Sequence, residues 1–395
     1  MAEHWNSNLT HSMTDYLINY KSGNRTMKSL CISFLAVMIS SHITRANGAQ
    51  IMYLASISDK NIVSYQLNEK TGELTAVNTT TLPISPGPMC FSPCGKYLYA
   101  AMAGKDSKNE TVSAIASLKI GNNGKLELVT YAKIDIRAPY IQVDPTGNFA
   151  MTAHYATGEV NVYKIKDQLI TGENIDHHKT ERTAHCIEFD RTGKFVYVPH
   201  TSPNKVYQYR LNLETGRLTP LKQPWVVGPD EDHQYHQPRH IAFHPTLDMA
   251  YTSNERGGGI SGYKLNTRNG MLTLSQTLSS LPEGYTGSSA AADIKITPNG
   301  NFAYVSNRDT ETRDRHQDSI AAFKIDSKGK LTRIGTFPTV WFPRSISIDG
   351  TGNYLVVAGQ KSGTIVTYRI DTESGELRRL KEYDVGDGTI WTMWQ

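Results

Sequence analysis

Residues 239–265, RHIAFHPTLDMAYTSNERGGGISGYKL, contain the repeating unit that decides the fold. An alternating apolar strand runs into a Pro-x-Leu-Asp turn. A second, aromatic-rich strand follows, then a glycine connection and a third strand ending in Tyr263-Lys264-Leu265. Period-two alternation with β-branched and aromatic enrichment reads as strand. The unit returns at 185–211 (HCIEFDRTGKFVYVPHTSPNKVYQYRL) and at 344–370 (RSISIDGTGNYLVVAGQKSGTIVTYRI). Its first turn falls at Gly95, Gly147, Gly193, Leu247, Gly300 and Gly352, spaced by 52, 46, 54, 53 and 52 residues. Four short strands every 50 residues or so are the mark of propeller blades.

Six units begin with an inner strand, whereas the first, from Ile51, begins at its second. The final residues, Thr389-Ile390-Trp391-Thr392-Met393-Trp394, form an apolar strand with no unit of its own. Placing that tail as the missing inner strand closes the ring and removes the edge an open ring would expose. The expectation is an all-β, seven-bladed propeller of four-stranded antiparallel blades. It forms one domain over residues 49–395, with blade one closed by the C-terminal strand.

Residues 1–48 read as a leader. Met27-Lys28 precedes an apolar run from Leu30 to Ile39, and Ala46-Asn47-Gly48 places small residues where a signal peptidase cuts. The run is short for a bilayer. The reading is a signal peptide starting at Met27, hence export to the periplasm or medium without stable membrane insertion, with a cytoplasmic location as the alternative. The net charge of +4 over 395 residues, with no dense basic stripe, argues against nucleic acid as a partner. Cys90, Cys94 and Cys186 do not form a disulfide framework and read as small buried hydrophobes. His233, His236 and His240 lack the spacing of a metal site. No Gly-x-Ser-x-Gly elbow, P-loop or dinucleotide fingerprint is present, and no cofactor is expected.

With the first turn as origin, the units superimpose as a ring. The position eight before the turn holds Gly87, Pro139, His185, Arg239, Ala292 and Arg344. Eight after it stand Ala103, Tyr155, Thr201, Glu255, Arg308 and Gln360, and seven after it Met102, His154, His200, Asn254, Asn307 and Gly359. In an antiparallel hairpin the two eight-removed positions are expected to lie opposite each other. These slots vary from blade to blade and carry charge, unlike packing positions. Their residues are expected to converge at one mouth of the channel as a site for an anionic substrate.

The stretches Ala-His185-Cys, Pro-Arg239-His-Ile-Ala-Phe-His-Pro, Ser-Asn254-Glu255, Val-Ser-Asn307-Arg308 and Phe-Pro-Arg344-Ser resemble the lactonase propeller family. That family includes bacterial propeller-type 6-phosphogluconolactonase and the fungal carboxy-muconate lactonizing enzyme. The resemblance runs from about residue 50 to the end. It implies that His185, Arg239, Glu255 and Arg308 correspond to the family's proposed active-site residues, the four that the ring also selects. Two departures stand out: Val198-Pro199-His200-Thr201 where the family usually has Val-Pro-Asp-x-Gly, and Leu247 at a turn usually held by glycine.

The expected activity is hydrolysis, without a cofactor, of a carboxylated or phosphorylated lactone. Arg239 and Arg308 would hold the anionic group. One of Glu255 and His185 would act as general base and the other would protonate the leaving alkoxide. Arg344, His154, His200, Asn254, Asn307 and Gln360 are the expected substrate-binding residues. Two alternatives use the same fold: cycloisomerisation of a muconate-type diacid, and a non-catalytic exported propeller binding a protein or glycan.

Overall fold

The computed structural model describes residues 50–229, 235–311 and 316–395. The leader, its proposed start at Met27 and cleavage near Gly48, and His233 lie outside the described residues. Twenty-eight strands among the described residues make seven antiparallel blades of four around a central channel. Blade one has the order Thr389–Trp394, Ile51–Ser56, Asn61–Leu67, Leu74–Thr81. The tail is thus its inner strand, with Met52 opposite Trp394 and Ala55 opposite Trp391. Blade seven (Pro343–Ile348 to Leu377–Asp384) is drawn against blade one by this joint, as Thr392 N–H donates to Ser345 Oγ at 3.1 Å.

The second strand of each blade is packed on both faces by its neighbours. Every residue of Phe195–His200, Phe302–Asp309 and Tyr354–Gly359 is buried. The outermost strands, such as Leu74–Thr81, are largely exposed. Tyrosines on the second strands pin blade to blade. The hydroxyls of Tyr197, Tyr251, Tyr304 and Tyr354 donate to the carbonyls of Gly270, Gly329, Gly375 and Glu69, each in the outer turn of the next blade. A buried hydroxyl must find such a partner, and here the partner is the carbonyl of a tight turn.

The first turns are held by their leading side chain. Asp349 Oδ1 accepts from Tyr354 N, and Asp190 Oδ1 from Phe195 N. Blade five, which lacks the turn glycine, uses His244 instead: its Nδ1 accepts from Thr246 N and Leu247 N at 3.1 and 2.9 Å. Leu247 therefore needs no left-handed backbone.

The inner strands depart from the expected register. Nine before the turn pairs with seven after it: Ala184 with His200, Pro238 with Asn254, Ala291 with Asn307, Pro343 with Gly359. The residue eight before the turn falls at an irregularity in the ladder beside that pair, in blades five, six and seven a register shift. Such bulges re-aim side chains. This one places Arg239 and Arg344 outside the regular alternation of their strands. Cys90 and Cys186 are buried, but Cys94 is exposed, contrary to expectation.

Candidate active site

The mouth of the channel gathers residues from blades three to seven. Arg308, at the end of Phe302–Asp309, donates from Nη2 to Glu255 Oε1 at 2.7 Å. Arg239 Nε lies 3.5 Å from the same oxygen. Each guanidinium is also anchored to backbone. Arg239 Nη1 donates to Ala292 O at 2.7 Å, Arg308 Nε to Ala290 O at 3.1 Å, and Arg308 Nη2 to Ala291 O at 3.2 Å. The Arg308 guanidinium rests on the Phe342 ring, 5.2 Å from its centroid.

Burial alone would raise the Glu255 carboxyl, but the charges of Arg239 and Arg308, helped by the Arg308 hydrogen bond, outweigh it. The carboxyl is held below the ordinary value of 4.5, so Glu255 is an anion at neutral pH. His185 is the opposite case. Burial first, then the charges of Arg239, His240 and Arg344, pushes it well below the ordinary imidazole value. It is neutral, with Nδ1 buried and without a hydrogen-bond partner. Its ring stands 5.6 Å from Tyr155 and 5.1 Å from His240.

Arg344 is held within electrostatic reach of Arg308, Glu255, Arg137 and Tyr155, and burial lowers its pKa to about 10, leaving it charged. Three guanidiniums therefore face one carboxylate, Glu255. This local excess of positive charge suits an anion. A cavity of about 780 Å³ opens over Glu255, lined also by Tyr155, Thr201, Ser202, Gln237 and Ala290. Its size suits a small ligand. Of the cluster, Glu255 lines it, whereas Arg239, His185 and Arg308 are buried behind it and Arg344 does not reach its wall, so their charges act on it through space.

Of the residues expected at the mouth, Arg239, Glu255 and Arg308 are in direct contact, with His185 and Arg344 beside them. The other five are not brought to the cluster. His154 pairs through Nε2 with Thr152 Oγ1 and Asn161 Nδ2, and through Nδ1 with Arg137 O. His200 pairs with Thr180 Oγ1 and Val198 O and packs on Tyr207. Asn254 donates to Ser261 Oγ and Tyr235 O, and Asn307 to Ser280 O and Ser319 Oγ. The slot seven after the turn thus ties the second strand to its own blade or to an adjoining loop. Gln360 is half-buried, and its backbone N–H donates to Phe342 O. His240, considered above only as a metal ligand, is instead engaged by Asp293 and Arg239. Its place directly after Arg239 was the available signal, whereas nothing in the sequence ties it to Asp293, 53 residues away.

The fold and this mouth define the class: a closed propeller with a carboxylate set among arginines at one end of its channel. The chain belongs to the seven-bladed β-propeller lactonase family, whose model matches residues 51–394. Among its relatives is a 6-phosphogluconolactonase of Pectobacterium carotovorum, 33% identical over 346 residues, covering 87% of this chain and 97% of that protein. A 6-phosphogluconolactonase of Yersinia pestis is 32% identical over 343 residues, with the same coverage. The fold is shared with a periplasmic gluconolactonase of Pseudomonas aeruginosa: TM-score 0.76, 20% identity, 88% of this chain and 99% of that one. A protein of Lactobacillus plantarum matches equally, with TM-score 0.76 and 22% identity over the same shares.

Proposed function

We propose that this protein hydrolyses an anionic sugar-type lactone, with 6-phosphogluconolactone the first substrate to test. The observation that carries the reading is the ionised Glu255 held between Arg239 and Arg308 beneath a cavity, with the charge of Arg344 to spare. Family membership and the names of the relatives support the substrate class.

Glu255, being ionised, is the general base; neutral His185 is not an acid of useful strength. Glu255 takes a proton from water as the water oxygen adds to the lactone carbonyl. The ring C–O bond then breaks, and the proton on Glu255 passes to the departing alkoxide. Water is consumed, an open hydroxy acid is released, and the carboxylate is regenerated. Arg344 and Arg308 would supply positive charge for the phosphate or carboxylate and for the oxyanion. Export, read from Met27 to Gly48, is part of the proposal and would favour a carboxylated over a phosphorylated sugar lactone as the natural substrate.

The test is turnover of a panel of phosphorylated, carboxylated and plain sugar lactones, with muconate-type diacids alongside. Lactone hydrolysis that Glu255→Gln lowers by about 10²–10⁴-fold is expected. Turnover of the diacids alone, or lactonase activity intact in Glu255→Gln, overturns the reading.

A further inference from the structure

Below the mouth, the channel wall contains a second polar assembly that the hydrolytic step does not use. Asp293, on the inner strand Ser289–Ile296 of blade six, is fully buried. Its Oδ1 faces His240 Nδ1 at 2.9 Å and accepts from Lys295 Nζ at 2.7 Å. Its Oδ2 accepts from Ile346 N at 3.0 Å and lies 3.4 Å from Ser345 Oγ. One carboxylate thus ties together blades five, six and seven.

His240 continues the chain. Its Nε2 stands 3.2 Å from Arg239 Nη1. A carboxylate can only accept, so His240 Nδ1 must carry the hydrogen; a guanidinium can only donate, so Nε2 must present its lone pair. Both neighbours force the same neutral tautomer, and protonation would set donor against donor beside a like charge. Burial and the charge of Arg239 lower this imidazole to about 3, in keeping with that geometry. The two hydrogens of Arg239 Nη1 are then taken by His240 Nε2 and Ala292 O. What remains is the Nε–Nη2 edge, and Nε is the atom 3.5 Å from Glu255, buried and without a hydrogen bond.

We infer that Asp293 and His240 are positioning residues: they lock the rotation of the Arg239 guanidinium so that its Nε–Nη2 edge serves Glu255. Orientation of this kind carries a large kinetic weight, since a displacement of about 1 Å can cost about 10²-fold. The kinetic part rests on the lactonase reading; the tautomer and the Glu255 pKa do not.

The test uses Asp293→Asn together with the pair His240→Gln and His240→Leu. In Asp293→Asn the amide oxygen can still accept from Nδ1, but the carboxylate charge is lost and the amide NH₂ meets a donor, Ile346 N or Lys295 Nζ, which loosens the hold on His240. ¹⁵N NMR of the wild type should show a protonated Nδ1 and a bare Nε2 on His240. With kinetics, Asp293→Asn should lower kcat/KM about 10²-fold and move the acid limb of its pH profile upward. His240→Gln, which keeps a donor toward Asp293 and an acceptor toward Arg239, should retain far more activity than His240→Leu. Wild-type His240 protonated at Nε2, equal losses in Gln and Leu, or an unmoved acid limb would overturn the inference. Should the wild type turn over no lactone, the lactonase reading fails alone. The tautomer and the ¹³C-monitored titration of Glu255, raised in His240→Leu if the inference holds, then decide the matter.

Discussion

Arg308 and Glu255 meet at 2.7 Å across the boundary between blades six and five. The base of the proposed reaction and the cation that keeps it ionised therefore come from different blades, 53 residues apart. Ring geometry, rather than local sequence, brings them together.

The first prediction concerns that pair. A carboxyl whose folded pKa is depressed is active above that value and fails as pH falls through it, so the acid limb of kcat/KM should lie below pH 4.5. Arg308→Met removes one of the two leading charges while burial remains. The limb should rise by about 1–3 pH units. A pH–rate profile of the variant against wild type checks this, and coincident limbs would detach Arg308 from Glu255.

The buried histidines set how stability depends on acid. His200 and His240 are lowered by burial to about 4 and about 3 from an ordinary 6.5, and His185 is lowered as well. Below pH 6.5 the unfolded chain takes up protons that the folded one refuses, so stability rises with pH through this window and is lost on acidification. Each such group contributes up to about 1.4 kcal/mol per pH unit. Asp318, raised by burial to about 6, and Glu188, also raised by burial, act in the opposite direction, but the lowered histidines, His154 and His244 among them, outnumber these two. Below about pH 4 the depressed Glu255 and Asp293 add their own loss. The melting temperature should therefore fall steadily from pH 6.5 to 4; a flat profile would contradict neutral burial of these rings.

Closure provides the third prediction. Truncation after Gly388 removes the inner strand of blade one, with Ile390 at 5% and Trp391 at 9% exposure. Burial of these two side chains is worth about 3–6 kcal/mol, against a typical margin of about 5–15 kcal/mol. The lost ladder to Ile51–Ser56 adds to this and bares an edge. Aggregated or strongly destabilised protein is expected, and an unchanged melting temperature would contradict the closure.

A pair of turn glycines separates backbone strain from steric strain. Gly95 (φ +67°) has open space where a Cβ would go, whereas at Gly270 (φ +78°) the Cβ would fall 2.2 Å from Phe195 Cδ1 in the preceding blade. Gly95→Ala should cost about 1–2 kcal/mol for the left-handed backbone alone. Gly270→Ala should cost about 1–3 kcal/mol more, as the Phe195 ring is driven from its place. Denaturant midpoints of the two variants test the difference.

The blade count, the closure and the cluster of Arg239, Glu255 and Arg308 were legible in the chain because a repeat turns sequence offset into position around a ring. His154, His200, Asn254 and Asn307 have the same regular offset, yet their side chains bond within their own blades or to adjoining loops. A polar residue seven after the turn has the same offset whether it points into the channel or back into its own blade. The bulge that offsets Arg239 and Arg344 from the regular pairing leaves no residue signature either, since an extra residue on one strand is apparent only against its partner.

The sequence by itself determined the blades, because period and turn chemistry act within some fifty residues. Tertiary structure decided the chemistry of each group. Glu255 is an anion only because two blades press arginines onto it, and His240 has one tautomer only because Asp293 and Arg239 flank it. Charge and hydrogen bonding act through space, and the spacing of residues along the chain does not contain those distances.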